Sequence, residues 1–247
     1  MAIPNPFAGA DLDRRSSQPT WGLGDFFVGW ALAYFAAAIF GVLVLAVAGY
    51  LDHPKDAPLA LTLIANIPLW AGFILVPVWA AATKGNGWRR DFHASITWLD
   101  VPLGIAVGLF AQIIVVPVIS WPILQLSGKT AEELAKPAQE LADKAHGAGG
   151  AIVFLLIVGL FAPLAEELFF RGLLFRSIEK RAGQWWALGI SSVVFGATHF
   201  EPLQFAALSV AGAMFGYLVI RTGRLGPAVI AHMAFNTTTV VALLWIN

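Results

Sequence analysis

The sequence contains no cysteine and few charged residues. Without cysteine the protein forms no disulfide and has neither a thiolate nucleophile nor a thiolate metal ligand. Only 12% of the 247 residues are charged, and the 15 basic and 15 acidic residues balance to a net charge of zero. No nucleic-acid partner is indicated, because proteins that bind nucleic acid carry an excess of positive charge.

Three sequence patterns are also missing. No internal repeat occurs, in contrast to the inverted halves of many transporters. The HExxH spacing of many zinc peptidases is absent. The first residues do not resemble a cleaved signal peptide, so residues 1–24 are expected to be a polar cytoplasmic tail, with the first apolar stretch serving as the targeting signal.

Apolar residues dominate the rest of the composition. They make up 58% of the sequence, and the mean hydropathy is +0.75. We predict an all-α, multi-pass protein of the plasma membrane with about seven transmembrane helices, for which the lipid bilayer is a partner. The candidate spans are residues 26–50, 58–82, 101–125, 149–175, 185–199 (short), 201–220 and 226–246.

The basic residues divide unevenly between the two sides of such a protein. If the N-terminus is cytoplasmic, the cytoplasmic segments contain Arg14, Arg15, Lys84, Arg89, Arg90, Arg176, Lys180, Arg181, Arg221 and Arg224. The outer segments contain Lys55, Lys129, Lys136 and Lys144. These lists hold ten against four basic residues, which fits the positive-inside rule and places the C-terminus outside the cytoplasm.

Charge also divides the chain into regions. Residues 25–126 have almost no charge within their three predicted spans, which indicates a three-helix membrane scaffold. In residues 127–148, Thr130 and Glu133 have the spacing of a capping box, and an amphipathic helix follows that we expect to be interrupted near Pro137. This segment is predicted to be extracytoplasmic or re-entrant. A solvated loop helix is the favoured interpretation, and a lid over a site is the alternative.

The predicted catalytic region, residues 149–247, opens with charges inside a span, in "PLAEELFFRG". A charge near the centre of a span costs about 2.5–3.5 kcal/mol on insertion scales, so it indicates a functional site unless it snorkels to the interface. Glu167 and Arg171 are four residues apart and share a helix face, so they are predicted to pair. Glu166 points about 100° away and is left free to act on water. Pro163 is predicted to free the carbonyl of Gly159 one turn earlier.

Two later spans contain histidines. His199 follows a predicted turn between helices by as many residues as Glu166 precedes it, so the two should lie at equal depth. His232 and Asn236 are four residues apart and share a face. In isolation these polar residues could be structural, as helix–helix contacts often are. Together with the carboxylates they suit the deprotonation of a water and the stabilisation of an oxyanion.

The motifs "EELFFR", "FGATH" and "HMAFN" together resemble the CPBP family of type II CAAX proteases and bacteriocin-processing proteins. The matching residues are Glu166, Glu167, Arg171, Phe195, His199, His232 and Asn236. The resemblance covers about residues 149–247 and implies a helical bundle that acts as an intramembrane endopeptidase on a membrane-associated protein or peptide. It also implies that the first glutamate and the second-motif histidine activate a water, while the last histidine and asparagine stabilise the oxyanion.

Other functions stay open at this point. Glu166, His199 and His232 could instead bind zinc, although no cofactor is expected. A non-catalytic immunity or scaffold protein and, least favoured, a proton-coupled transporter are further alternatives. A serine nucleophile is not supported, because Ser191, Ser192 and Ser209 have no triad context.

Overall fold

A computed structural model describes residues 18–245, which form helices joined by short loops, with no β-strand in that range. Most of the predicted N-terminal tail, with Arg14 and Arg15, and the final two residues lie outside the described part. The principal helices are α1 (Leu23–Ala48), α2 (Leu59–Lys84), α3 (Asp100–Ser127), α4 (Ala131–Ala142), α5 (Gly147–Ala182), α6 (Gln184–Ala197), α7 (Phe205–Thr222) and α8 (Gly226–Trp245).

Six of these helices are long and apolar enough to cross a membrane, namely α1, α2, α3, α5, α7 and α8. The predicted fifth span is a helix, α6, but its 14 residues rise only about 21 Å, less than the roughly 30 Å of hydrocarbon. The prediction of about seven spans is therefore close, and α6 accounts for the difference. Helix α5 is longer than its predicted span and continues to Ala182.

The outer surface of the bundle is apolar. Only 6% of the most hydrophobic window of α1 is buried, and 17% of that of α2. Exposed tryptophans occur toward both ends of the bundle: Trp79, Trp88, Trp98, Trp185 and Trp186 at one end, and Trp121 and Trp245 at the other. Apolar outer faces with tryptophans toward their ends are typical of multi-pass membrane proteins, in which indole rings lie at the lipid headgroups.

One end of the bundle joins the segments that the predicted topology places on the cytoplasmic side. The Lys180 ammonium donates a hydrogen bond to the carbonyl of Trp21 at 2.7 Å and lies 3.4 Å from the centre of its ring. Arg224 pairs with Asp100 at 2.6 Å. Trp21, near the end of the predicted polar tail, is only 3% exposed, so this part of the tail packs on the bundle.

The amphipathic segment lies at the opposite end. Its capping box is present: Glu133 N–H donates to Thr130 Oγ1 at 3.2 Å, and Thr130 N–H donates to Glu133 Oε2 at 3.0 Å. The predicted interruption near Pro137 is wrong, because α4 continues through this proline. Lys55, from the loop before α2, lies 3.6 Å from Glu140. The loop between α1 and α2 and helix α4 therefore share one side of the bundle.

Helices α3 and α8 approach closely along a Gly-x-x-x-Gly stripe. A Cβ at Gly104 would lie 3.0 Å from the backbone nitrogen of Ala231, and a Cβ at Gly108 would lie 2.8 Å from the Cβ of Ala234. Only glycine permits this spacing, a common device in membrane helices. Both helices start at the end of the bundle that carries Lys180 and Arg224, so they run parallel. The contact fixes α8 beside α3 at the level of His232.

Candidate active site

Glu166 and Glu167 lie between two π-helical turns of α5. The turns are Leu155–Phe161 and Leu168–Phe175, and the regular helix between them is Ala162–Glu167. Such turns are rare and are often found at functional sites, because the extra residue per turn rotates the side chains that follow. In this helix they flank the segment that carries Glu166 and Glu167.

Pro163 connects the first π turn to α8. In a π turn each N–H donates to the carbonyl five residues earlier, so the bond that Pro163 cannot donate is the one to Val158. The Asn236 Nδ2 atom takes that place and donates to the Val158 carbonyl at 2.9 Å. The prediction that Pro163 frees the carbonyl of Gly159 assumed α-helical register and is wrong, because the backbone is π-helical here.

An ion pair is completely buried in the centre of the bundle. Arg171 Nη1 donates to Glu167 Oε1 at 2.8 Å, and both side chains are 0% exposed. Arg171 Nη2 donates to the Gly212 carbonyl at 2.8 Å, and the guanidinium carbon lies 4.4 Å from the centre of the Phe195 ring. A Cβ at Gly212 would lie 2.8 Å from Arg171 Nη2. The structure thus contains the pair that the four-residue spacing predicts.

His232 joins this ion pair to Glu166. Its Nδ1 atom lies 2.9 Å from Glu167 Oε1, and its Nε2 atom lies 3.7 Å from Glu166 Oε2. A carboxylate only accepts hydrogen bonds, so Nδ1 carries the proton toward Glu167. The imidazole stacks on Phe215 with ring centres 5.0 Å apart and is 3% exposed. Arg171, Glu167, His232 and Glu166 therefore form one continuous polar chain.

Of these four polar residues, Glu166 is the one that faces open space. Its side chain is 18% exposed and lines a cavity of about 410 Å³. Among residues 18–245 no group forms a hydrogen bond with its carboxylate. The divergence of Glu166 from Glu167 agrees with the predicted 100° between neighbouring residues on a helix.

His199 lines the same cavity as Glu166. Its Nδ1 atom lies 2.8 Å from the Phe195 carbonyl; a carbonyl cannot donate, so Nδ1 carries the proton and Nε2 is free. The preceding carbonyl, that of Thr198, accepts a hydrogen bond from the Tyr34 hydroxyl at 2.7 Å. Tyr34 lies on α1, in the predicted scaffold, and sequence patterns gave no indication of this contact.

Helix α4 covers the cavity. The α4 residues that line it, Leu134, Ala135, Ala138 and Leu141, form an apolar face. In addition, the Gln204 amide donates to the Leu134 carbonyl at 2.9 Å, which links α4 to the loop that carries His199. These apolar residues recur at helical spacing and are partly buried over the cavity. The structure therefore favours the lid interpretation of this segment over that of a solvated loop helix.

The alternative zinc ligands do not form a metal site in this structure. Within the described part of the chain, no three His, Asp or Glu side chains gather closely enough to hold a metal ion. One nitrogen of His232 is used by Glu167, and one of His199 by a backbone carbonyl. Each histidine keeps a second ring nitrogen, but Glu166, His199 and His232 are not gathered into one ligand set within the described part of the chain.

Known proteins resemble the part of the chain that builds the site. Residues 148–238, which include all six predicted site residues, match the family described as Type II CAAX prenyl endopeptidase Rce1-like. A protein of Bacillus subtilis (strain 168), "Putative membrane peptidase YdiL", is 28% identical over 159 residues, which are 64% of this chain and 61% of that relative. The match thus spans less than two thirds of the relative's length. No solved structure matches significantly.

Proposed function

We propose that this chain, a member of the CPBP family of membrane proteins, is an intramembrane endopeptidase that hydrolyses a peptide bond of a membrane-associated protein or peptide. One observation carries the proposal: Glu166 faces a covered cavity and forms no hydrogen bond with any residue between 18 and 245, while Glu167 and His232 behind it are bonded to each other. A base that acts on water needs this freedom, and its neighbours need to be fixed.

In this proposal Glu166 removes a proton from a water molecule as the water oxygen attacks the carbonyl carbon of the substrate. His199 accepts a hydrogen bond from the same water through its free Nε2 atom and orients it. The tetrahedral intermediate then breaks its carbon–nitrogen bond. The proton held by Glu166 passes to the leaving nitrogen, so the carboxylate is regenerated.

The negative charge on the intermediate is stabilised by donors on α8. Asn236 has two N–H bonds on Nδ2 and uses one for the Val158 carbonyl, which leaves one for the oxyanion. His232 can donate through Nε2 only when it is doubly protonated, because its Nδ1 proton is committed to Glu167. Glu167 and Glu166 lie next to the two nitrogens of this ring. Glu167 and Arg171 act as positioning residues, since neither faces the cavity.

A comparison of two proteins tests the proposed activity. Purified wild type and Glu166→Gln are incubated in liposomes with a peptide library from a membrane proteome, and new termini are identified by mass spectrometry. Cleavage by the wild type that is lost in the variant supports the endopeptidase. The absence of any wild-type cleavage would favour the non-catalytic immunity or scaffold alternative.

We expect the reaction to proceed without a metal ion. Purified wild type should contain no stoichiometric zinc, and a strong chelator should leave its cleavage rate unchanged, because no three candidate ligands lie close enough together in the described part of the chain to hold a metal ion. Elemental analysis of wild type and His232→Ala, combined with chelation and zinc add-back, provides the measurement. One zinc per chain that is lost on replacing His232 would contradict the water mechanism as written.

The orientation in the plasma membrane is a further expectation, with the N-terminus in the cytoplasm. Lys55 and Arg89 are both exposed and lie at opposite ends of the bundle. Because the native sequence has no cysteine, Lys55→Cys and Arg89→Cys each introduce a single reactive thiol. In intact cells an impermeant maleimide should label the first variant and not the second. Labelling of only the second would invert the orientation and place the α4 lid on the cytoplasmic side.

A further inference from the structure

One wall of the cavity carries a hydroxyl group without a partner. Ser120, on α3, lines the cavity together with Glu166. It is 2% exposed, and its Oγ atom forms no hydrogen bond with any described residue. A buried polar group in this state destabilises a protein. Such a group indicates a ligand when it faces a cavity.

Several other helical hydroxyls in this bundle are satisfied by their own helix. Ser127 Oγ, two turns further along α3, donates to the Ile123 carbonyl at 2.7 Å. Thr238 Oγ1, on α8, donates to the Ala234 carbonyl at 2.7 Å. This bond to the carbonyl four residues earlier is the usual arrangement in membrane helices. Ser120, Ser177 and Ser209 depart from it with buried hydroxyls that have no partner among the described residues, and of these three only Ser120 lines the cavity.

Gln112 lies two turns before Ser120 and lines the same cavity. It belongs to the π turn Ala111–Val115, which ends with Val116 N–H donating to the Ala111 carbonyl. The next residue in this register is Pro117, which has no N–H, so the carbonyl of Gln112 is left without its helical donor. The Gln112 side-chain amide also forms no hydrogen bond with the described residues.

The register of α3 against α8 gives the depth of these groups. Gly108 contacts Ala234, so Gln112, one turn further along α3, lies near the level of Asn236. Ser120 is eight residues beyond Gln112, or about 12 Å toward the end of the bundle that α4 covers. An extended peptide advances about 3.3 Å per residue. The two residues therefore match a stretch of about four extended residues.

We infer that Gln112 and Ser120 form a binding subsite for the backbone of the substrate peptide, leading from the reacting bond toward α4. The inference rests on the proposed function. A peptide segment in extended form offers an N–H and a carbonyl at every residue, and the free carbonyl, amide and hydroxyl of α3 complement these groups. Backbone contacts of this kind select an unfolded segment over a helix, because helical amides are already bonded.

Binding and stability should change in opposite directions when the hydroxyl is removed. The probe is a fluorescent copy of the shortest library peptide that wild type cleaves, and the protein background is Glu166→Gln, which holds the peptide intact. Ser120→Ala should raise the Kd about 3- to 10-fold, the usual contribution of one hydrogen bond. Its Tm should equal or exceed that of the background, because an unpartnered buried hydroxyl is gone. Gln112→Leu should likewise raise the Kd, and Ser120→Thr should restore binding.

Ser127→Ala is the matched control, since it removes a hydroxyl of the same helix outside the cavity, and its Kd should be unchanged. N-methylation of one peptide amide within about four residues of the cleaved bond should weaken binding to the Glu166→Gln protein. The same N-methylation should weaken binding to the double variant Glu166→Gln, Ser120→Ala by a smaller factor. An unchanged Kd in both Ser120→Ala and Gln112→Leu would overturn the subsite and leave the proposed endopeptidase intact. Weaker binding together with a lower Tm would have the same consequence. A wild type that cleaves no peptide overturns the proposed function and the subsite with it.

Discussion

Glu166→Gln is expected to lower the turnover of peptide substrate by about 10²–10⁴-fold, the usual contribution of a general base. The amide has almost the same size as the carboxylate but cannot take a proton from water. Glu166 forms no hydrogen bond with the described residues, so the substitution breaks none and the Tm should change little. The measurements are kcat and KM on a library-derived peptide, together with a thermal melt of the purified variant.

Glu132→Gln is the matched control for this substitution. Glu132 is an exposed residue of α4, so the same change of carboxylate to amide should leave turnover at the wild-type level. If Glu166→Gln kept a substantial share of wild-type kcat, Glu166 would not be the base. Activity lost together with a lower Tm would point to a structural role.

Glu167→Gln is expected to destabilise the protein as well as inactivate it. The substitution removes the carboxylate that accepts from both Arg171 and His232. The guanidinium is then a buried charge without its counter-ion, which costs about 3–5 kcal/mol. The glutamine amide oxygen can still accept from His232, but without the negative charge this hydrogen bond is weaker and fixes the ring less firmly. Thermal unfolding and denaturant midpoints of the purified variant measure the loss.

Glu133→Gln provides the comparison, because it removes an ion pair with Lys129 that is partly exposed on both sides. Exposed pairs contribute about 0–1 kcal/mol, so its Tm should be almost unchanged. The double variant Glu167→Met, Arg171→Met should recover part of the lost stability, since no unpaired charge stays buried. It should stay inactive, because methionine at position 167 gives His232 no oxygen acceptor. A Glu167→Gln variant as stable as the wild type would contradict the importance of the buried pair.

Features that depend on neighbouring positions of one helix were predictable. The pairing of Glu167 with Arg171, the divergence of Glu166 and the capping box of Thr130 with Glu133 all follow from 3.6 residues per turn. The membrane spans followed from apolar length in the same way. These are local properties, so one window of sequence contains all the information that decides them.

Departures from regular helix were not predictable by the same reasoning. The π turn before Pro163 changes which carbonyl is freed, and sequence reasoning in α-helical register chose Gly159 where the structure has Val158. Whether a helix adopts a π turn depends on how its side chains pack against neighbouring helices. The short fifth span predicted at residues 185–199 is the helix α6, but this helix is not among those long enough to cross a membrane.

The sequence by itself determined that this is a multi-pass helical membrane protein. It also determined which six polar residues form its candidate site. Both follow from the order of residues along the chain, because that order sets the length of apolar stretches and the helical spacing of polar residues. Only the tertiary structure decided that Glu167 bonds His232, that α4 covers the cavity and that Ser120 and Gln112 line the same cavity as Glu166. These contacts join helices far apart in sequence. Their geometry depends on the close approach of α3 and α8 and on the π turns, which rotate whole helix faces, and a pattern along one helix does not contain that rotation.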